Sequence, residues 1–261
     1  MPHLVAANQR LEYAWIGPGP AQAPTLIFLH EGLGCAGMWK DFPLRVAERT
    51  GCGALIYSRS GYGDSAPLDR PRSARYLHDE ALTVLPQVLE AMNIRHAIFI
   101  GHSDGASIAL IYAAAGGAQA TLGLVLEAPH VFVEDITVAG IERTGELYRT
   151  TDLAQKLSRY HGDQTNAVFW SWYDTWLSPE FRHWNIEEYC PRIACPLLLI
   201  QGEDDEYGTK RQVDAILSRV VTPAQAVMLP ECGHVPHREQ PQATLEAITR
   251  FVQGIVSTTS N

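Results

Sequence analysis

A serine flanked by glycines stands between an apolar run and a run of small residues. Gly101, His102, Ser103, Asp104 and Gly105 have the form G-x-S-x-G. The run before them predicts a strand and the run after them predicts a helix, so Ser103 is expected on a sharp turn with an exposed hydroxyl. Glycine suits the two outer positions because side chains there would collide with the turn. Ser103 is therefore the predicted nucleophile.

A histidine near the end of the chain is the predicted base for this serine. Serine is a weak nucleophile at neutral pH and needs a neighbouring base that a third group orients. His234 follows a glycine in a loop between a predicted strand and the last predicted helix. His237 stands beside Arg238 and Glu239, and we interpret it as a helix-start residue or a residue that supports the site. His234 is the predicted base.

The acid that orients the histidine is expected directly after a strand, at a position in the chain between the serine and the histidine. Four carboxylates, residues 203–206, directly follow the apolar run PLLLI and a Gln-Gly pair. Consecutive carboxylates cannot all be buried, so most of them must be solvated. The spacing from Gly202 favours Asp205 as the acid, with Asp204 as its main competitor.

Strands and helices must bring these distant residues together. The runs TLIFLH, AIFIGH and LGLVLEA are almost wholly apolar, which is typical of parallel strands buried on both faces. They alternate with helical patterns, so we predict an α/β fold with a mainly parallel sheet. The predicted strands are 10–16, 25–30, 54–58, 96–101, 122–127, 196–202 and 224–229, and the predicted helices are 79–92, 104–115, 210–220 and 241–256.

The strand–helix alternation stops at about residue 131 and resumes at residue 192. The segment 131–191 is rich in charged and aromatic residues and shows no strand pattern. We interpret it as a helical cap inserted into one core domain made of residues 1–130 and 192–261. Phe169, Trp172, Tyr173 and Trp176 are spaced i, i+3, i+4 and i+7, which places them on one face of a helix.

Together these motifs resemble the α/β-hydrolase superfamily, and the resemblance covers nearly the whole chain. It rests on HEGLG at 30–34, RSGYGDS at 59–65, the turn at Ser103, residues 202–205 and Gly233-His234-x-Pro. It implies a mostly parallel sheet with an inserted helical cap. It also implies that Ser103, Asp205 and His234 form a catalytic triad.

The resemblance further implies an oxyanion hole of two backbone N–H groups. One would come from Gly32, with Leu33 as the alternative, and the other from Asp104. Such donors are commonly worth about 3–4 kcal/mol each in the transition state.

The sequence departs from the family at Glu31, where glycine is usual after the histidine. A carboxylate that faced the oxyanion would oppose the chemistry, so we expect its side chain to point away and to be paired. Arg59 and His237 are the candidate partners, and the sequence does not choose between them.

The resemblance implies that the underside of the cap roofs the substrate pocket. Trp172 and Trp176 are then expected to contact the substrate and to favour an apolar or aromatic acyl or alcohol group. His102 either lines the entrance or packs beside the serine.

Composition narrows the functional classes. A formal net charge of −9 argues against nucleic acid or an anionic membrane as partner. The chain start lacks a signal-peptide pattern and no apolar run reaches ~20 residues. The five cysteines are expected to be reduced thiols in the cytoplasm, with a Cys190–Cys195 disulfide as the alternative. No metal-ligand cluster or nucleotide fingerprint is evident, so no cofactor is expected.

The expected function is therefore hydrolysis of a small carboxylic ester through an acyl-enzyme. Carbon–carbon bond hydrolysis of the meta-cleavage product type is the main alternative within enzymes, because it uses the same triad. Hydrolysis of a thioester, a lactone or an amide also stays open. A slow or non-catalytic ligand sensor is the alternative outside enzymes.

Overall fold

The computed structural model describes residues 1–68, 71–117 and 120–259. Its centre is an eight-stranded sheet in the order β1-β2-β4-β3-β5-β6-β7-β8. Strands β1, β2 and β4 pair antiparallel, and every other neighbouring pair is parallel. The predicted α/β class with a mostly parallel sheet is confirmed. The strands are β1 His3–Ala6, β2 Gln9–Ile16, β3 Thr25–Leu29, β4 Gly53–Tyr57, β5 Ala97–His102, β6 Thr121–Glu127, β7 Leu197–Gly202 and β8 Ala224–Leu229.

Helices cover both faces of this sheet, which is why its central strands are apolar along their whole length. All residues of β3, β5 and β7 are buried. Helices α1 and α10 pack on one face, whereas α3, α4 and α8 pack on the other. The α-helices are α1 Phe42–Thr50, α2 Tyr76–Asp79, α3 Leu85–Ala91, α4 Asp104–Ala114, α5 Asp135–Thr150, α6 Leu153–His161, α7 Thr165–Trp176, α8 Lys210–Leu217, α9 Pro236–Glu239 and α10 Pro241–Thr259.

The segment between β6 and β7, which the sequence predicts as a cap, is helical. It contains α5, α6 and α7, followed by two 3₁₀ turns at Phe181–His183 and Glu187–Arg192. Residues 131–191 hold no strand beyond one isolated bridge between Phe132 and Asn185. The aromatic stripe lies on α7, where Phe169, Trp172 and Trp176 are buried.

Three local features differ from the sequence prediction. The short strand β1 and the helix α1 were not predicted. The helix predicted at 79–92 begins earlier and is interrupted, because a π-helical turn at Glu80–Val84 separates α2 from α3.

The five cysteines are buried and free of disulfides, so Cys190 and Cys195 are unpaired. In the part of the chain that the structure describes, no helix is both long enough and apolar enough to cross a bilayer.

Candidate active site

Ser103 occupies a strained turn between the end of β5 and the start of α4. Its backbone has φ 53° and ψ −114°, a region that non-glycine residues rarely adopt. Its N–H donates to Glu127 O at 2.9 Å, which fixes the turn to β6. A Cβ on Gly101 would lie 2.3 Å from Gly105 O, and one on Gly105 would lie 1.9 Å from Leu29 O. Only glycine therefore fits on either side of the serine.

The three residues predicted as a triad meet at the carboxyl edge of the sheet. His234 Nε2 is 2.9 Å from Ser103 Oγ. His234 Nδ1 is 2.9 and 2.8 Å from the two carboxylate oxygens of Asp205. All three are buried, whereas Asp204 is exposed. Of the two candidate acids, it is Asp205 that reaches the imidazole.

The Asp205 carboxylate is held by more than the histidine. It accepts hydrogen bonds from Gln201 Nε2 at 2.7 Å and from the backbone N–H groups of Tyr207 at 2.8 Å and Gly208 at 3.1 Å. Burial alone would raise the pKa of Asp205, but His234 and the backbone N–H of Tyr207 lower it to about 2. An ionised Asp205 keeps the proton on His234 Nδ1, so Nε2 presents its lone pair to the serine hydroxyl.

Two side chains fix the carbonyl groups of the loop after β3. Arg59 is buried, and its guanidinium donates to His30 O at 2.5 Å and to Glu31 O at 3.0 Å. Tyr62 Oη donates to Gly32 O at 2.8 Å. A trans peptide points its N–H away from its C=O. Because Arg59 and Tyr62 hold the carbonyls of Glu31 and Gly32 on one side of the loop, the N–H group of each of these two peptides points to the opposite side.

These N–H groups belong to Gly32 and Leu33, and both residues line a cavity together with Ser103. Asp104 is the first residue of α4, and the N–H groups of a first helical turn have no acceptor within the helix. The positive end of the helix dipole lies at the same place. Of the three residues predicted for an oxyanion hole, Gly32 and Leu33 thus line the same cavity as Ser103, and Asp104 follows the serine directly at the start of α4.

Glu31 is paired as expected, but with neither predicted partner. Its Oε2 lies 3.5 Å from His102 Nδ1. Arg59 contacts only the Glu31 backbone, and His237 pairs with Glu127 instead. The choice of Arg59 or His237 was therefore wrong. Although Glu31 is among the cavity-lining residues, its carboxylate folds over Gly34, where a Cβ would lie 2.2 Å from Oε2.

The Glu31–His102 contact requires a proton between its partners. His102 Nε2 lies 2.7 Å from His234 O, and it must donate there because a carbonyl oxygen only accepts. A neutral His102 would then aim the lone pair of Nδ1 at a carboxylate. Burial opposes charge on both groups, yet Glu31 raises the pKa of His102, and His102 holds the pKa of Glu31 well below its usual range. A charged His102 thus anchors the loop that carries His234.

A second buried histidine–carboxylate contact lies behind the serine turn. His237 Nδ1 and its backbone N–H lie 2.8 and 3.2 Å from Glu127 Oε2. The ring of His237 packs against Trp39. His237 is therefore outside the row of Ser103, His234 and Asp205, in the supporting position that the sequence favoured.

A chain of hydrogen bonds joins the cap to the serine turn. Trp176 Nε1 donates to Tyr76 Oη at 2.8 Å, and that hydroxyl donates to Asp104 Oδ2 at 2.7 Å. Arg59 Nη2 lies 3.5 Å from the same oxygen. Burial raises the pKa of Asp104, although Arg59 and Tyr76 oppose the shift. Tyr76 was not predicted for the site, because it precedes the predicted helix and has no neighbouring motif.

A small cavity of about 200 Å³ opens onto Ser103 and His234. Drug-sized ligands usually occupy about 300–1,000 Å³, so this cavity fits a smaller molecule. The three predicted substrate-contact residues, His102, Trp172 and Trp176, all line it. Its lining is Glu31, Gly32, Leu33, His102, Ser103, His130, Thr137, Ile141, Trp172, Trp176, Glu206, Tyr207, His234 and Val235.

Two further observations leave this cavity as the candidate site. A larger depression of about 670 Å³, between Trp184 and Asp214, contacts none of the three residues of the row. In the described ranges of the chain, no group of three or more His, Cys, Asp or Glu side chains is placed to hold a metal ion.

Comparison with known proteins gives a family match over most of the chain. A family model described as "Alpha/beta hydrolase family" matches residues 26–247. The 2-succinyl-6-hydroxy-2,4-cyclohexadiene-1-carboxylate synthase of Enterobacter sp. (strain 638) is 25% identical, over 88% of this chain and 92% of that one. Lipase 1 of Psychrobacter immobilis is 23% identical, over 95% of this chain and 82% of the lipase.

Solved structures share the fold. The crystal structure of a membrane phospholipase A, a bacterial virulence factor, superimposes with a TM-score of 0.79 at 22% identity. The match covers 97% of this chain and 86% of the phospholipase chain.

Proposed function

The chain belongs to the alpha/beta hydrolase family, and we propose that it is a serine hydrolase that cleaves small carboxylic esters through an acyl-enzyme. The observation that carries the proposal is the row in which Ser103 Oγ lies 2.9 Å from His234 Nε2 while Asp205 holds Nδ1. The lipase relative supports a hydrolase in general terms.

In the first half of the reaction, Ser103 is the nucleophile and His234 the base. As Ser103 Oγ attacks the ester carbonyl carbon, its proton passes to His234 Nε2, which becomes positively charged. Asp205 stabilises that charge because it stays ionised and buried against Nδ1. His234 then gives the proton to the leaving alcohol oxygen as the carbon–oxygen bond breaks.

The negative charge on the carbonyl oxygen needs donors in the tetrahedral intermediate. The backbone N–H groups of Gly32 or Leu33 and of Asp104 serve this role in the proposed mechanism. Arg59 and Tyr62 support it indirectly by holding the carbonyls of the loop. Such fixed donors act strongly because they need no reorganisation when the charge develops.

The second half of the reaction releases the acid. Water takes the place of the alcohol, and His234 Nε2 removes its proton as the water oxygen attacks the acyl carbon. The tetrahedral intermediate forms against the same donors and collapses to a carboxylic acid. The serine recovers its proton from His234, so the enzyme returns to its starting state.

The lining of the cavity favours an uncharged substrate. Leu33, Ile141, Trp172 and Trp176 supply apolar surface, and no Lys or Arg is among the described residues that line it. A dienoate substrate of carbon–carbon hydrolysis would bring a carboxylate into a cavity where the charge of His102 is already balanced by Glu31 and no Lys or Arg of the described lining could pair with it. This supports ester hydrolysis over the carbon–carbon alternative.

Other properties of the chain support a small-molecule substrate in a reducing compartment. Five buried, unpaired thiols are typical of cytoplasmic proteins. The formal net charge of −9 disfavours nucleic acid and anionic membranes as partners.

A panel of p-nitrophenyl esters with acyl chains of increasing length tests the proposal. We expect wild-type turnover to be highest for short chains, because the cavity is small, and Ser103→Ala to abolish it. Negligible turnover of every ester together with hydrolysis of a dienoate would favour carbon–carbon hydrolysis. Stoichiometric binding of esters without turnover would favour a ligand sensor.

A further inference from the structure

His130 is a buried polar side chain of the cavity that has no partner of its own. It follows β6 and lines the same cavity as Ser103. It is 2% exposed, and its Nδ1 has no hydrogen-bond partner among the described residues. Its backbone oxygen is occupied, since Ser107 Oγ donates to it at 2.7 Å. The backbone of His130 is thus held, whereas Nδ1 of its imidazole is unpaired.

Most other polar side chains of the lining are already engaged. Thr137 donates to Tyr207 O, and the Tyr207 hydroxyl pairs with Thr144. Trp176 Nε1 donates to Tyr76. The ring of His102 lies between Glu31 and His234 O.

Two further polar groups line the cavity. Trp172 Nε1 lies close to Gly32, within 2.4 Å of the point where a Cβ would stand, and Glu206 is exposed to solvent. His102 Nδ1 also lacks a hydrogen bond, but it lies 3.5 Å from Glu31 Oε2. Among the described imidazoles of the lining, only that of His130 has neither a hydrogen bond nor an ion pair. Leaving a buried polar group unpaired destabilises the site, so a ligand oxygen that pairs with this imidazole should bind more tightly.

The surroundings of His130 define where such a ligand group would sit. Its ring centroid lies 5.6 Å from that of His234 and 5.4 Å from that of Trp176. His234 carries the proton to and from the serine, so His130 lies beside the reacting carbonyl rather than at the distant end of the cavity. The ligand group must therefore be on an atom near the scissile bond.

The charge state of His130 restricts the kind of ligand group that its imidazole can bind. Burial is the main reason that its pKa falls to about 3, and the neighbouring His234 adds to the shift. A neutral imidazole offers one N–H donor and one nitrogen acceptor. It therefore pairs best with a neutral group such as a hydroxyl, which donates or accepts.

Building on the proposed ester hydrolysis, we propose that His130 determines specificity by binding a neutral hydroxyl or keto oxygen close to the scissile carbonyl. The preferred substrates are then esters of small hydroxy acids or keto acids rather than plain alkyl esters. The rest of the cavity contacts their apolar part through Trp172, Trp176 and Ile141.

Isosteric pairs of methyl esters test this inference, with hydrolysis followed by acid release. In each pair a hydroxyl replaces a methyl group: lactate against isobutyrate, and β-hydroxybutyrate against isovalerate, with both enantiomers of each hydroxy ester. The kcat/KM ratio within a pair is divided by the ratio of the hydroxide-catalysed rates, which removes the intrinsic reactivity of the esters.

We expect wild type to prefer the hydroxy ester of at least one pair by about ten-fold after this correction, the usual size of a hydrogen bond to a buried group. His130→Phe keeps an aromatic ring beside Trp176 but should remove the preference. His130→Gln should restore part of it, because an amide also donates and accepts. Ile141→Val, which trims an apolar wall, should change both members of a pair by the same factor.

Two results would overturn the inference, and a third would instead overturn the proposed function on which it rests. A corrected wild-type ratio near one in every pair overturns it without any variant. A preference that survives in His130→Phe also overturns it. In both cases ester hydrolysis itself stands. If wild type hydrolyses neither these esters nor the p-nitrophenyl panel, the proposed function fails first.

Discussion

The proposed catalytic row of Ser103, His234 and Asp205 and the aromatic roof of the cavity are held in different ways. Asp205 and Ser103 are fixed by backbone groups of the core, through the N–H groups of Tyr207 and Gly208 and through Glu127 O. The roof is held mainly by the packing of aromatic rings on α7, with the Trp176–Tyr76 hydrogen bond as a polar link to the core. We therefore expect the core to determine the chemistry and changes in the roof to have little effect on it. Variants of the row should therefore lower kcat, and variants of the roof should change KM and substrate preference.

The largest effect is expected when the same substitution is made at two adjacent carboxylates, only one of which contacts His234. Asp205→Asn should lower kcat by about 10³–10⁴-fold, because an amide no longer keeps the proton on His234 Nδ1. Asp204→Asn is the matched control and should stay within about two-fold, since that side chain is exposed. Steady-state kinetics on one p-nitrophenyl ester gives both values. Equal losses in the two variants would contradict the assignment of Asp205.

His130, which follows β6 and packs against Trp176 of the roof, should contribute to the pH dependence of stability. Its pKa is about 3 when folded and about 6.5 when unfolded. Between these values the unfolded state binds more protons, so this group lowers the free energy of unfolding as pH falls below about 6.5. The loss due to His130 between pH 7 and pH 5 is about 2 kcal/mol.

Urea unfolding of wild type and His130→Phe at both pH values measures this contribution. The variant should lose about 2 kcal/mol less than wild type between pH 7 and pH 5. The comparison between the two proteins cancels His30 and His161, whose pKa values burial also lowers. The same pH dependence in both proteins would mean that His130 is not buried as a neutral group.

Glu31 lines the same cavity as Ser103 and Trp172. Replacing it tests whether its negative charge helps or harms the reaction. Glu31→Gln should lower kcat/KM by about ten-fold, because His102 loses the carboxylate that balances its charge beside His234. The acid side of the pH–rate profile should change as well, since His102 then stays neutral to lower pH. A large rise in activity would instead mean that the carboxylate faces the oxyanion.

The smallest expected effect concerns the aromatic roof. Trp172→Leu should raise KM by about five-fold with little change in kcat, because the lost contacts are made before and during the reaction alike. Trp170→Leu is the matched control, since Trp170 lies on the same helix but outside the cavity lining. A fall in kcat for Trp172→Leu with an unchanged KM would show that the roof takes part in the chemistry.

The sequence was most informative where backbone geometry leaves little choice. The glycines around Ser103 are needed because any Cβ there would meet backbone atoms, and such constraints leave a readable motif. The strand positions, the place of His234 and the apolar face of α7 followed from equally local patterns.

Side-chain partners were less predictable than backbone features, because they depend on long-range packing. The partner of Glu31 is the residue beside the nucleophile, and only the turn at Ser103 brings the two together. His130 has no motif around it, and its lack of a partner is a property of the folded cavity. Helix α1, in contrast, has a local signal, since Phe42, Val46 and Ala47 form a buried stripe after Asp41.

The most direct test of the account is the site of covalent labelling by a fluorophosphonate, measured by intact mass and peptide mapping. Activation of Ser103 by His234 predicts one adduct per chain, on the Ser103 peptide, with far slower labelling of His234→Ala and none of Ser103→Ala. An unlabelled wild type, or an adduct on another residue, would contradict the claim that this hydroxyl is the nucleophile.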